Sequence, residues 1–227
     1  MDKTAIQNLA IVLVGGKTIV ADTDATKAAQ LASSLWEISY RGMLELPYNW
    51  EFAVTRDEIT GNLTTTPVIG HYGYRYKLPK LCLRVISQID RYDDNVEYEH
   101  RIENFMDSNN KTHPVIVTNE STCYIKFICD LGQDYEVRRW PGWFARIVAL
   151  DLAQQMCEPL KQDKQKVNQL DIKMNLPVYG WMARAIQANG LFGMDTTDNY
   201  DDTDKGNNDV INASRSVDST WQHIIER

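Results

Sequence analysis

Apolar residues recur at helical spacing at both ends of this chain and at alternate positions in its middle. Residues 3 to 14 carry Ile6, Leu9 and Leu13 on one face, with Asp2 placed to cap the first turn and Gly15-Gly16 to end the helix. Residues 24 to 46 predict a long second helix. Asp24 is its candidate cap, and Ala28, Leu31, Leu35, Ile38 and Leu46 form its apolar face. Gly42 weakens its last turns and Pro47 stops it. Ala28, Ala29, Ala32 and Ser33 are small enough to admit a neighbouring helix closely.

From residue 50 the period changes to two. Trp50, Phe52 and Val54 alternate with Glu51, Ala53 and Thr55, which predicts a half-buried strand. Further strands are predicted over 81–90, 96–106, 113–118 and 123–130. In the last, Cys123, Ile125, Phe127 and Cys129 share a face. Ser108-Asn109-Asn110-Lys111 is a hairpin loop by composition. Helical spacing resumes after Pro141-Gly142, where Trp143, Phe144, Ile147, Val148, Leu150, Leu152 and Met156 predict a central helix over 141–158. A last helical stretch, 162–189, is interrupted at Asn175-Leu176-Pro177, and Gly190 and Gly193 close the body. The fold class is therefore α+β: a helix bundle, a small antiparallel β-sheet over 50–130, and an extended C-terminal arm.

Residues 195–227 form a separate regime after a body spanning 1–194. Six Asp and one Lys fall between Asp195 and Asp209, so this run holds −5 of the formal net charge of −7. The remainder is close to neutral, which is not the footprint of a protein that grips nucleic acid from outside. The run reads as a solvated linker extended by self-repulsion. It carries an apolar arm in which Trp221, Ile224 and Ile225 are the candidate partner-binding residues.

Chemistry-bearing residues form no constellation. Cys82, Cys123, Cys129 and Cys157 make no C-x-x-C pair and sit in apolar runs, as buried free thiols do. His71, His100, His113 and His223 lack metal-ligand spacing. Gly15-Gly16-Lys17-Thr18 looks like the end of a phosphate loop, but Ile11 stands where the leading glycine belongs. No catalytic, cofactor-binding or metal-binding residue is assigned. Glu51, Asp57, Glu58, Asp90, Asp93 and Asp94 could supply a carboxylate pair for glycoside hydrolysis, so a cell-wall hydrolase is the enzymatic alternative. A non-viral protein-docking module is the other. No stretch suits a membrane span, and the thiols fit folding in a reducing cytoplasm.

Leu46-Pro47-Tyr48-Asn49-Trp50-Glu51-Phe52-Ala53, Tyr74-Arg75-Tyr76-Lys77-Leu78-Pro79 and Leu83-Arg84-Val85 resemble, in order, blocks of the tail tubular protein A family. These are the head-to-tail adaptors of short-tailed bacteriophages. The resemblance runs over about residues 3 to 190 and includes Asp24, Ala28, Trp36 and Arg41, the strand Tyr124-Ile125-Lys126-Phe127 and the helix Trp143 to Leu160. Lys80-Leu81-Cys82 departs from it, since an acidic residue is expected soon after Pro79, and Pro177 breaks a helix that is usually longer. The resemblance implies a non-enzymatic virion subunit without cofactors, assembled in the host cytoplasm. It implies a ring of identical subunits, about twelve in the family's habit, between a portal protein and a tail nozzle protein. Packaged DNA would pass through the lumen without specific binding, and no membrane is involved.

Overall fold

The computed structural model describes residues 1–21, 23–63, 71–93, 95–161 and 163–192. The chain divides into two units, Met1–Gly193 and Met194–Arg227. The acidic run and the arm residues Trp221, Ile224 and Ile225 lie outside the described residues.

The first unit opens with α1 (Lys3–Leu13) and α2 (Lys27–Leu44). Asp2 caps α1 by accepting from the Ala5 N–H at 2.8 Å. Gly15, at φ +73°, ends the helix, and the Gly16 N–H donates back to the Ile11 carbonyl at 2.8 Å. The Gly-Gly-Lys-Thr sequence is thus a helix C-terminus. α2 starts later than its sequence predicts. Thr26, and not Asp24, is the cap, accepting from the Ala29 N–H at 3.2 Å. Asp24 instead closes the preceding turn by accepting from the Val20 N–H. The predicted face is also rotated. Ala29, Ala32, Trp36, Tyr40 and Leu44 are buried, whereas Ile38 is 63% exposed. Small and aromatic side chains outrank aliphatic ones here, because Trp36 stacks on Trp140 with centroids 5.7 Å apart.

The predicted strand through Trp50 and Phe52 is corrected as well. Glu51–Ala53 is a single 3-10 turn, and β1 (Val54–Ile59) begins only afterwards. The alternation of large residues came from a turn that puts both aromatics into one core. β2 (Tyr74–Lys77), β3 (Cys82–Ile89), β4 (Glu97–Tyr98), β5 (His100–Met106), β6 (Thr112–Thr118) and β7 (Cys123–Cys129) follow. They form two antiparallel sheets, β1-β7-β3-β4 and β2-β6-β5, where the sequence suggested one. Glu99 alone separates β4 from β5, so the chain crosses from one sheet to the other at that corner. At the opposite corner the Lys77 N–H donates to the Gly61 carbonyl and the Leu63 N–H to the Arg75 carbonyl, joining the exit of β1 to β2. The result is a small flattened barrel filled by Ile59, Tyr76, Leu78, Ile116, Ile125 and Phe127. Two register shifts in β3, at Cys82/Arg84 and Val85/Ser87, bend that strand.

α3 (Asp134–Val137), α4 (Gly142–Lys161), α5 (Lys164–Asn175) and α6 (Trp181–Phe192) complete the unit. α4 packs on α1, α2, α5 and α6, and Phe144, Ile147, Val148, Leu152 and Met156 are fully buried. Pro159 lies within its last turn and Pro141 just before its first. The stretch 162–189 is two helices, and Gly190 lies inside the second. Ile128 of β7, with Val54, Leu83 and Ile86, packs against the helical core, while Ile125 and Phe127 face the second sheet. The architecture is α+β in three layers: helix bundle, four-stranded sheet, three-stranded sheet.

Candidate functional site

The segment from Tyr48 to Ala53 lies where the bundle joins the barrel. Trp50 is fully buried, and its Nε1 donates to the Met43 carbonyl at the end of α2, at 2.7 Å. Its ring contacts Trp143 and Phe144 of α4 at 5.6 and 5.5 Å between centroids. The Glu51 N–H donates to Asn189 Oδ1 at 2.8 Å, and Asn189 Nδ2 donates to the Asn49 carbonyl at 2.7 Å. From the barrel side Arg84 Nη2 reaches the Tyr48 carbonyl at 3.0 Å and Asn49 Oδ1 at 3.2 Å. Four elements far apart in sequence thus clamp one irregular segment, whose backbone groups would otherwise lack partners. Asn189 and Arg84 could not be assigned this role from sequence, because nothing local marks their partners.

A second clamp lies on the other side of α2. Arg41 donates through Nε and Nη2 to Asp130 Oδ2, at 2.9 and 2.6 Å, and also pairs with Glu37. Asp130 Oδ1 accepts from the Gly132 N–H at 3.0 Å. A Cβ at Gly132 would collide with the Tyr40 ring, so the loop after β7 must carry glycine there. Burial, and then the charge of Asp130, pushes the Tyr40 phenol up to about 12.

The sequence-predicted chemical residues are dispersed. Glu51 sits on the 3-10 turn, Asp57 and Glu58 on β1, and Asp90 and Asp93 on the turn after β3. None of these is buried, and Asp94 lies outside the described residues. Asp90 accepts from the Tyr92 N–H and the Tyr98 hydroxyl, both at 2.8 Å, and these bonds hold its carboxyl below the usual range. A hydrolase needs the opposite environment for its acid. Among the described residues the carboxyl raised by desolvation is Asp151, in the helix bundle, where Gln155 Nε2 donates to it at 2.6 Å and also contacts Ser39 Oγ at 3.1 Å. The spacing i, i+4 links Asp151 to Gln155, but only the fold brings Ser39 to them.

His113 Nε2 bonds Asp107 Oδ2 at 3.0 Å across the base of the β5–β6 hairpin, which lowers the Asp107 pKa. His71 is exposed, His100 is half-buried, and His223 lies outside the described residues. Cys123, Cys129 and Cys157 are buried and Cys82 is half-buried, all as free thiols. Desolvation pushes Cys82 up to about 11 and Cys123 to about 12, so neither is a thiolate at neutral pH. Among the described residues no group of three or more His, Cys, Asp or Glu could hold a metal ion. Also among them, no helix is long and apolar enough to cross a membrane.

What the body does present is exposed apolar surface. At the α5–α6 turn Val178 and Tyr179 are 58% and 71% exposed, beside Leu176 and Ile172. Val178 is held at φ +67°, a strained conformation for a β-branched residue. Two residues on, Gly180 packs so tightly on the Leu176 and Met174 carbonyls that a side chain would not fit. Met1, Leu9, Leu13, Leu150 and Trp181 line a groove of about 360 Å³, with Arg146 lying over the Trp181 ring at 4.7 Å. Compared with protein-family models and with curated proteins, the sequence matches none.

Proposed function

We propose that this chain is a structural head-to-tail connector of a short-tailed phage virion. Its subunits form a ring between the portal protein and the tail nozzle, extending the DNA channel and helping to retain the packaged genome. The observation that carries this reading is the ordered resemblance from residue 3 to 190, carried by the Pro47 to Ala53 block together with the Leu78-Pro79 turn; the first of these makes the joint between bundle and barrel. Support also comes from the separate apolar surfaces at the α5–α6 turn and the α1/α4/α6 groove. A ring subunit needs unlike faces for its head-to-tail contacts. The near-neutral body suits a channel that DNA must pass without sticking.

The test is sedimentation of the purified chain, alone and mixed with the portal protein encoded in the same genome. The reading requires a small species alone that converts to a stoichiometric ring complex with portal. Persistence of the small species, with no portal bound, would overturn it. Truncation after residue 209 should leave a folded body that binds portal poorly, since it removes Trp221, Ile224 and Ile225. Unchanged portal binding by the truncated chain would remove the arm from the proposal.

A further inference from the structure

The longest of the strands that end a sheet is β5, seven residues from His100 to Met106. Among the described residues β5 pairs with β6 alone, whereas the far edge of β2 is covered by the exit of β1. The direction of each backbone group on β5 follows from Pro114. It lies opposite Asn104, has no N–H to give, and turns its carbonyl toward Leu78 on the β2 side. His113, Val115 and Val117 therefore exchange hydrogen bonds with β5, through Phe105, Glu103 and Arg101. By alternation, His100, Ile102, Asn104 and Met106 direct their N–H and C=O groups out of the sheet. Ile102 and Met106 are also 46% and 60% exposed. An edge with free donors, free acceptors and uncovered apolar side chains is a template for another strand.

We propose that this edge pairs with the same edge of a second copy of the chain. The two β5 strands run antiparallel about a two-fold axis at Ile102, over residues 100–104 of each. The charges choose this register. Centred on Ile102, Arg101 of each copy stands opposite Glu103 of the other, and Asn104 opposite His100, while the two Ile102 side chains meet on the face shared with Ile116. Centred one residue on, Glu103 would oppose Glu103. Like charges directly opposite destabilise a strand pair, and unlike charges stabilise it. Arg101 and Glu103 already lie on one face, 3.7 Å apart within the chain, with Arg101 72% exposed and able to reach across. The product is one continuous six-stranded sheet, twice the three strands of β2-β6-β5. Such a contact is isologous and closes on itself, so it is not the lateral contact of a ring. It does not rest on the connector reading.

The experiment is sedimentation equilibrium of the full chain and three variants, with far-UV circular dichroism to confirm folding. The wild type should be dimeric at micromolar concentration. Arg101→Glu places like charges opposite each other twice and should weaken the dimer about tenfold or more. The double exchange Arg101→Glu with Glu103→Arg restores opposite signs across the axis and should recover the dimer. Ile102→Pro removes an outward N–H that β6 does not use, so it should leave the monomer folded and unable to pair. A wild type that stays monomeric overturns the proposal. So does a dimer indifferent to Arg101→Glu, or one that the double exchange fails to recover. Portal binding by a monomeric Ile102→Pro chain would leave the connector reading standing, so the two can fail separately.

Discussion

The helix bundle and the barrel solve the burial problem in different ways. The bundle surrounds a single helix, α4, and fills the space with aromatics: Trp36, Tyr40, Trp50, Trp140 and Phe144 form a continuous chain of ring contacts. The barrel has a smaller core of aliphatic, aromatic and thiol side chains, held as much by its hydrogen-bonded ladders. The bundle can seal itself because helices satisfy their own backbones. A sheet satisfies its backbone only through neighbours, and among the described residues β5 has a strand neighbour on one side only. Where the two regions meet, the irregular segment from Tyr48 to Ala53 is held by side chains from both. That joint should make them unfold as one.

The largest effect is expected from Trp50→Ala, which empties the joint and removes the bond to the Met43 carbonyl. A loss of about 4 kcal/mol in urea denaturation is the expected outcome. Next, Ile125→Ala in the barrel should cost about 3 kcal/mol. It also tests coupling between the regions. Trp36, Trp50, Trp140, Trp143 and Trp181 all belong to the helical side, so tryptophan emission reports chiefly on the bundle. If the joint couples the two, the emission midpoint moves with the β-sheet signal. A biphasic transition would show that they melt separately. Gly132→Ala forces the loop after β7 away from Tyr40 and should cost about 2 kcal/mol.

Two smaller effects sharpen the picture of the bundle. Thr26→Ala removes the true cap of α2 and should cost about 1 kcal/mol by thermal or urea unfolding, more than Asp24→Ala. Asp151 gives a pH signature. Desolvation raises its pKa in the folded state above that of the unfolded chain, so its favourable contribution is present at acid pH and lost as the pH rises through the raised value. Asp151→Asn keeps an oxygen for Gln155 and should stabilise the protein at pH 7. The gain should shrink as the pH falls toward about 4. A gain independent of pH would mean that Asp151 is not desolvated.

Much of the element order was legible from residues alone. The Asp2 cap, the Gly15-Gly16 stop, the alternation over Cys123–Cys129 and the central helix after Pro141 are local signals, in which the side chain and the backbone it shapes are neighbours. The sequence also indicated thiols in apolar runs; the fold buries Cys123, Cys129 and Cys157, and strand pairing sets Cys82 opposite Cys129. Errors arose where distant partners outvoted local pattern. The face of α2 turned toward Trp140, far along the chain, and away from its own aliphatic stripe. The Trp50 to Val54 alternation gave way to a turn because α4 and Asn189 hold both ends of that segment.

Composition and periodicity thus determined the α+β class and the near-neutral body with its acidic tail. Tertiary structure alone decided that the strands make two sheets joined at two corners, that Asp151 meets Ser39 where it is desolvated, and that among the described residues β5 pairs on one side only. The reason is physical. Caps, turns and amphipathic faces are fixed within a few residues, whereas strand pairing and desolvation depend on which distant segments arrive alongside, and no local pattern encodes that choice.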